Sequence, residues 1–215
     1  MSLIAASTAR SGALRSGVRL EVLTVVWMAI EAVVAIGAGV AAGSVLLTAF
    51  GLDSVIELLS GGVLAWRLQC ETTGQSAERI AGTERTATRI SAVLLVLLCA
   101  YLIFVGLAGL LSHRQPEGSP IGVGIALAAL LVMPLLGLAK RRVNRVIKSA
   151  ALHADIVETA TCAYIAAATL LGTLANLWLG LWWVEYGAAL GLLYFLVREA
   201  REAIEAARRG DSDDD

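Results

Sequence analysis

The stretch VLLTAFGLDSVIELLSGGVLAW, residues 45–66, is long enough to cross a membrane as a single helix, yet it contains two acids. A hydrocarbon core about 30 Å thick requires roughly 20 helical residues that are mostly apolar. An ionised side chain near the middle of such a helix costs about 2.5 to 3.5 kcal/mol on insertion scales. Asp53 and Glu57 therefore indicate that this helix turns one face toward a protein interior, a cavity or a cation.

The composition of the whole chain predicts the same environment. Of the 215 residues, 58% are hydrophobic and 16% are charged, and the mean hydropathy is +0.76. These values lie far outside the range of soluble globular domains. They predict an all-α integral membrane protein with six transmembrane helices. The predicted spans are approximately residues 20–42, 45–66, 90–111, 119–139, 150–173 and 177–197.

The six spans divide the chain into three parts. Residues 1–19 are predicted to form a cytoplasmic N-terminal arm, and residues 20–197 the six-helix transmembrane domain. Residues 198–215 are predicted to form a short charged helix followed by an acidic tail.

The distribution of basic residues predicts the orientation of the chain. Cytoplasmic segments of membrane proteins are enriched in Lys and Arg. With both termini in the cytoplasm, 16 of the 17 Lys and Arg lie on the cytoplasmic side, and Arg114 alone lies on the outer side. We therefore expect a multi-pass protein of a bacterial-type plasma membrane with both termini cytoplasmic. Because the basic residues are spread over four segments, they do not indicate nucleic-acid binding.

A second polar group lies in the fifth span, within ALHADIVETATC, residues 151–162. A rise of 1.5 Å per residue places Asp53 and Glu57 about 13 and 19 Å below the outer boundary, and Glu158 and Cys162 about 17 and 11 Å below it. The i,i+4 spacing puts each pair on one helical face. Together the pairs predict a cation site near the middle of the membrane, although Cys162 alone is also explained as a packing residue.

Three further residues are accessory candidates for this site. Glu31 lies at a similar depth in the first span, and Asp155 shares the helical stripe of the fifth-span pair. His153 points to a different face. Each also has a structural interpretation: Glu31 as a protonated acid bonded to a neighbouring helix, Asp155 as a partner of Lys148 or Arg145, and His153 as an interfacial residue.

The order of these motifs resembles the transmembrane domain of the cation diffusion facilitator family. That family has a Gly-Ser followed by an Ala-Asp-Ala-x-His-Ser-x-x-Asp segment in its second span, which is similar to GSVLLTAFGLDSVIELLSG, residues 43–61. Its fifth-span segment, Ser-x-x-Leu-x-Ala-Asp-x-x-His-x-x-x-Asp, resembles SAALHADIVETATC, residues 149–162. The residues at the four ligand positions are Asp53, Glu57, Glu158 and Cys162.

The resemblance implies proton-coupled efflux of a divalent metal from the cytoplasm by a homodimer without enzymatic activity. The usual ligands of the family are two His and two Asp, whereas three carboxylates and a thiol stand here. This mixture favours Zn²⁺ as the transported ion, followed by Fe²⁺ or Mn²⁺. The other expected partners are protons and the lipid bilayer, with no further cofactor. The cytoplasmic C-terminal domain of the family is expected to be absent.

Other functions remain open on the sequence alone. A proton-coupled exporter of small organic cations would use Glu31 with an aromatic cage of Trp27, Trp182 and Trp183. A non-transporting membrane regulatory subunit would need no ordered set of ligands. An intramembrane metalloenzyme is disfavoured, because the chain has two histidines and no HExxH motif.

Overall fold

The structure is a computed structural model that describes residues 2–73 and 77–212. These two ranges form α-helices joined by short turns and contain no β-strand, so the prediction of an all-α fold is confirmed. The helices of the described ranges are α1 (Ser2–Ala42), α2 (Val45–Thr73), α3 (Ala77–Leu111), α4 (Pro120–Ile147), α5 (Ala150–Leu179) and α6 (Trp182–Ser212). Residues 213–215, the last of the predicted acidic tail, lie outside the described residues.

Five segments within the described ranges have the length and apolar composition of membrane spans. They are Gly12–Ala42, Val45–Cys70, Thr88–Leu111, Pro120–Ile147 and Ala151–Leu179. α6 corresponds to the sixth predicted span and has 31 residues, but its apolar run lies between Glu185 and Arg198 and is therefore shorter. α1 is continuous from Ser2, so the predicted N-terminal arm belongs to the same helix from that residue onward.

The turn between α1 and α2 lies where the sequence predicts it. Gly43 has a φ of +64°, a left-handed conformation that glycine adopts without steric cost. The Ser44 side chain then accepts a hydrogen bond of 3.0 Å from the Leu47 amide, which satisfies a free N–H group in the first turn of α2. These two residues reverse the chain, so α1 and α2 run antiparallel.

The turn between α5 and α6 differs from the prediction. The sequence places it at residues 174–176, whereas α5 continues to Leu179 and α6 begins at Trp182. Gly180 has a φ of +64° and donates its amide to the carbonyls of the last turn, as C-terminal glycines of helices do. This capping glycine, rather than the end of the most apolar run, determines where α5 ends.

The helices form a closed ring in the order α1, α2, α3, α6, α5 and α4, with α4 packed against α1. Inside the ring, α2 also contacts α5 and α6. Because successive helices alternate in direction, the start of α1, the end of α6, the facing ends of α2 and α3 and the α4–α5 connection lie at one end, which we call the inner end. The other three connections lie at the outer end. The fold therefore brings the two predicted polar faces, those of α2 and α5, toward each other across the interior.

Glycine allows the close approach of α1 and α2. A Cβ added to Gly39 would lie 2.6 Å from the backbone nitrogen of Thr48 and 2.9 Å from its Cα. Contacts below 3 Å with backbone atoms cannot be relieved by a side-chain rotation. Within the stretch AIGAGVAAGS, residues 35–44, Gly39 thus serves helix packing within one chain, as small residues do in membrane proteins.

We expect Gly39→Ala to lower the free energy of unfolding by about 1 to 3 kcal/mol, because the added methyl group forces α1 and α2 apart. The measurement is the unfolding midpoint in detergent, by heat or by denaturant. Gly37→Ala is the matched control on the same helix: a Cβ at Gly37 meets no atom within 4 Å, so stability should be unchanged or slightly higher. Equal effects of both substitutions would contradict this account of the packing.

Candidate functional site

Asp53 and Glu57 lie on the buried face of α2. Asp53 is 3% exposed and Glu57 is 8% exposed. Asp53 interacts electrostatically with Glu199, Glu158 and Glu31, and Glu57 interacts with Asp53, Glu158 and Glu199. Like charges buried so close to one another repel unless protons or a cation lie between them. The interior face of α2 is therefore suited to binding positive charge.

Glu158 of α5 is joined to α2 by a hydrogen bond, since the Ser60 hydroxyl donates to Glu158 Oε1 over 3.0 Å. Cys162 of α5 interacts electrostatically with Glu57 and Asp53 of α2. The structure thus brings the predicted α2 and α5 residues near one another. Cys162 also has a packing role, since it belongs to a buried cluster with Met28, Met133 and Leu136.

The four predicted ligands are not gathered around a single point in the structure. Among the His, Cys, Asp and Glu side chains that the structure describes, no three lie close enough together to hold one metal ion. Glu158 accepts a hydrogen bond from the Ser60 hydroxyl. Binding of an ion by all four predicted ligands therefore requires these side chains to move closer together and the Ser60–Glu158 hydrogen bond to be exchanged for a metal bond.

Glu31 is fully buried and bonded on both oxygens. Its Oε2 accepts a hydrogen bond of 2.7 Å from Trp27 Nε1, and its Oε1 accepts one of 2.7 Å from the Ser54 hydroxyl. Ser54 is adjacent in sequence to Asp53, so this carboxylate links α1 to the part of α2 that carries the site. The hydrogen bonding agrees with the structural interpretation of Glu31, next to the predicted ligands.

Asp155 pairs with Lys140 of α4 rather than with the predicted Lys148 or Arg145. Lys140 Nζ lies 2.5 Å from Asp155 Oδ2 and 3.0 Å from Glu21 Oε2 of α1. The reason is helical spacing: Lys140 lies on the stripe of α4 that is buried against α1 and α5, although the sequence groups it with the exposed basic residues that follow.

The aromatic cage required for an organic cation is not assembled among the described residues. Trp27 bonds Glu31, whereas Trp182 lies at the outer end, 5.8 Å from the His113 ring and 6.1 Å from the Tyr186 ring. Trp183 is 56% exposed.

The remaining accessory candidate, His153, is exposed.

Sequence reasoning missed two acids that surround the site. Glu199 of α6 interacts with Asp53, Glu57 and Glu158, and Glu21 contacts Lys140. A periodicity signal was present for both. Glu199 follows the buried Leu192 and Leu196 at i+7 and i+3. Glu21 precedes the buried Thr24 and Met28 by three and seven residues.

The outer end of the bundle is tied together around a buried acid, Glu185. Ser44 of α2 donates a hydrogen bond to Glu185 Oε1, and Asn176 of α5 donates one of 3.1 Å to Glu185 Oε2. Asn176 also donates to the carbonyl of Pro116 over 2.9 Å, which fixes the α3–α4 connection. These bonds join the three helix connections that lie at the outer end of the bundle.

The inner end contains a cavity of about 330 Å³ that reaches the site. Glu158, Ser60 and Asp155 line it on one side, and Arg67 and Ala203 lie among the other lining residues. The larger outer cavity, about 720 Å³, is lined by residues that include Thr48 and Tyr101 and by none of the four predicted ligands. In this conformation the inner cavity therefore contacts the site.

A ring of apolar helices around buried acids places the chain in the class of polytopic membrane transport proteins. Residues 22–209 match the family model of the cation efflux transmembrane domain, and the chain belongs to that family. The resemblance to the cation diffusion facilitators is confirmed by this match. Members of the family carry metal cations across membranes and are not enzymes. Comparison with curated proteins gives no significant match.

Proposed function

We propose that this protein exports a divalent metal ion from the cytoplasm in exchange for protons, and that Asp53, Glu57, Glu158 and Cys162 hold the ion. The observation that carries the proposal is the burial of Asp53, Glu57 and Cys162 on two helices, α2 and α5, that contact each other inside the bundle. The electrostatic interactions of Glu57 with Glu158 and of Cys162 with Glu57 support the same grouping. A homodimer and a bacterial-type plasma membrane complete the proposal, as the family resemblance implies.

Proton coupling follows from the chemistry of the same groups. The thiol proton of Cys162 and the protons that neutralise closely spaced carboxylates must leave before a divalent ion binds, because metal ligands are deprotonated. A proton arriving from the outer side competes for the same oxygens and releases the ion. One set of side chains therefore binds either protons or metal, which is the requirement for exchange.

The direction of transport is supported by the cavity at the inner end. Glu158 lines this cavity, whereas none of the four proposed ligands lines the outer cavity. If the inner end is cytoplasmic, as the charge distribution predicts, an ion reaches the site from the cytoplasm. The orientation of the termini stays a prediction.

Zn²⁺ is the proposed substrate, with Fe²⁺ and Mn²⁺ next. Carboxylate oxygens accept all three ions, whereas a thiolate favours Zn²⁺ over harder cations. The organic-cation alternative has less support, since the indole rings it requires are separated in the structure. A non-transporting regulatory subunit would show no flux.

The test is metal uptake by the purified protein in liposomes with an acidic lumen, comparing Zn²⁺, Mn²⁺, Fe²⁺ and tetraphenylphosphonium. We expect Zn²⁺ uptake that stops when an ionophore collapses the pH gradient. Uptake of the organic cation alone would support the exporter alternative. Absence of uptake of every ion would overturn the proposal.

We expect Cys162→Ser to weaken transport of Zn²⁺ and Cd²⁺ more than that of Mn²⁺, because the sulfur atom is the donor that distinguishes these ions. The expected change in the Zn²⁺ to Mn²⁺ ratio of Vmax/KM is roughly tenfold. Cys70→Ser, which replaces another buried cysteine of the described residues, is the matched control and should leave the ratio unchanged. An unchanged ratio in Cys162→Ser would assign Cys162 to packing only.

A further inference from the structure

Three charged side chains meet in the inner half of the bundle, where no metal ligand was predicted apart from the accessory candidate Asp155. Lys140 of α4 lies between Glu21 of α1 and Asp155 of α5, at 3.0 Å and 2.5 Å. The side chains of Lys140 and Glu21 are 0% exposed, and that of Asp155 is 11% exposed. Burial of charges is costly unless each is paired. The triad joins three helices, so it is a built feature of the interior.

The formal charges of the triad do not cancel. Two carboxylates and one ammonium leave a charge of −1. Neither carboxylate oxygen of Glu21 has a hydrogen-bond partner among the described residues, although Oε2 lies within ion-pair distance of Lys140. Glu21 is sealed from solvent, whereas Asp155 lines the inner cavity together with Glu158. The excess negative charge of the triad is therefore presented to the cavity through Asp155.

The triad also acts on the proposed ligand set at a distance. Glu158 interacts electrostatically with both Asp155 and Lys140. An isolated Lys140 at this position would repel a divalent ion that approaches Glu158. Glu21, which does not line the cavity, neutralises the charge of Lys140. Lys140 in turn pairs with Asp155 Oδ2, and this ion pair weakens Asp155 as a ligand for the transported ion.

We propose that Glu21 and Lys140 are positioning residues that set the affinity of the inner cavity for the transported cation through Asp155. The inference rests on the proposed function. A net charge of −1 attracts the ion into the cavity, and the ammonium keeps that attraction weak enough for the ion to pass to Glu158. Neither Glu21 nor Lys140 lines the cavity, so neither touches the ion there.

Charge counting gives opposite outcomes for the two single substitutions. Lys140→Met leaves a net charge of −2 in the triad, so KM for Zn²⁺ should fall about tenfold. Vmax should fall as well, because the ion is retained near Asp155. Glu21→Gln leaves zero, so KM should rise about tenfold. The double variant Glu21→Gln/Lys140→Met restores −1, and its KM should return to within roughly threefold of the wild-type value.

The experiment measures initial rates of Zn²⁺ uptake into liposomes against Zn²⁺ concentration, using protein that elutes as a single folded species in detergent. A purely structural ion pair would lower the yield of both single variants and would not move KM in opposite directions. The outcome that overturns the inference is wild-type flux with an equal KM in both single variants. No flux from the wild type would overturn the proposed function instead, and this inference with it.

A second comparison leaves no buried ammonium without a partner and starts from a variant with the wild-type net charge. The double variant keeps −1 on Asp155, and addition of Asp155→Asn brings the charge to zero. We expect KM of the triple variant to exceed that of the double variant by about tenfold. Equal KM values in these two variants would overturn the inference even if the single variants fail to fold.

Discussion

Asp53→Asn is expected to abolish metal transport while leaving the protein folded. The carboxylate is 3% exposed, and its electrostatic neighbours Glu31, Glu158 and Glu199 are acids. Asparagine has nearly the same shape but removes a negative donor, and loss of one such donor to a divalent ion should lower the rate roughly 100-fold or more, equivalent to about 3 kcal/mol. Stability should be unchanged or higher, since repulsion among buried acids decreases.

The measurements for Asp53→Asn are Zn²⁺ flux in liposomes and the unfolding midpoint in detergent. Glu117→Gln is the control, because Glu117 is an exposed acid in the outer α3–α4 connection and should not affect either quantity. Flux near the wild-type rate would show that Asp53 is not a ligand. Loss of the folded protein would show that the acid has a structural role.

Glu158→Gln should reduce transport to a similar extent, for a reason that the structure makes specific. Glu158 is the predicted ligand that lines the inner cavity, and its Oε1 accepts a hydrogen bond from the Ser60 hydroxyl. The amide oxygen of glutamine can accept the same hydrogen bond, so the α2–α5 contact and the fold should persist. The negative charge that receives the ion from the cavity is lost, and we expect flux to fall roughly 100-fold.

A matched control for Glu158→Gln is Glu202→Gln, which removes an acid that is 65% exposed and paired with Arg198 on the surface of α6. Exposed ion pairs contribute little, so flux and stability should both be retained. If Glu158→Gln transports Zn²⁺ as well as Glu202→Gln does, ion loading from the inner cavity does not involve Glu158.

The sequence predicts the helices because long apolar runs leave few alternatives in a membrane. It also predicts that α2 and α5 carry related polar faces, since Asp53 and Glu57 repeat the i,i+4 spacing of Glu158 and Cys162. What it does not provide is the order of helices around the ring. That order brings these two faces into contact, as the Ser60–Glu158 hydrogen bond shows.

Lys140 illustrates the limit of reading charge along the chain. The sequence groups it with Arg141 and Arg142 as a cytoplasmic topology signal, but the helix turns it into the interior, where Glu21 and Asp155 pair with it. A charge at the border of an apolar run can face either way, and the partner that decides this lies on another helix. Glu199 was missed for the same reason, because it lies just beyond residue 197, the predicted end of the sixth span.

The central claim is that the transported ion lies between α2 and α5 at the middle of the bundle. Anomalous X-ray scattering at the zinc edge from crystals of the zinc-loaded protein tests it most directly. The account predicts one strong peak about 2.0 to 2.3 Å from the carboxylate oxygens of Asp53, Glu57 and Glu158 and from Cys162 Sγ, with the Ser60–Glu158 hydrogen bond broken. Zinc bound elsewhere in the transport-competent protein, with this hydrogen bond intact, would contradict it.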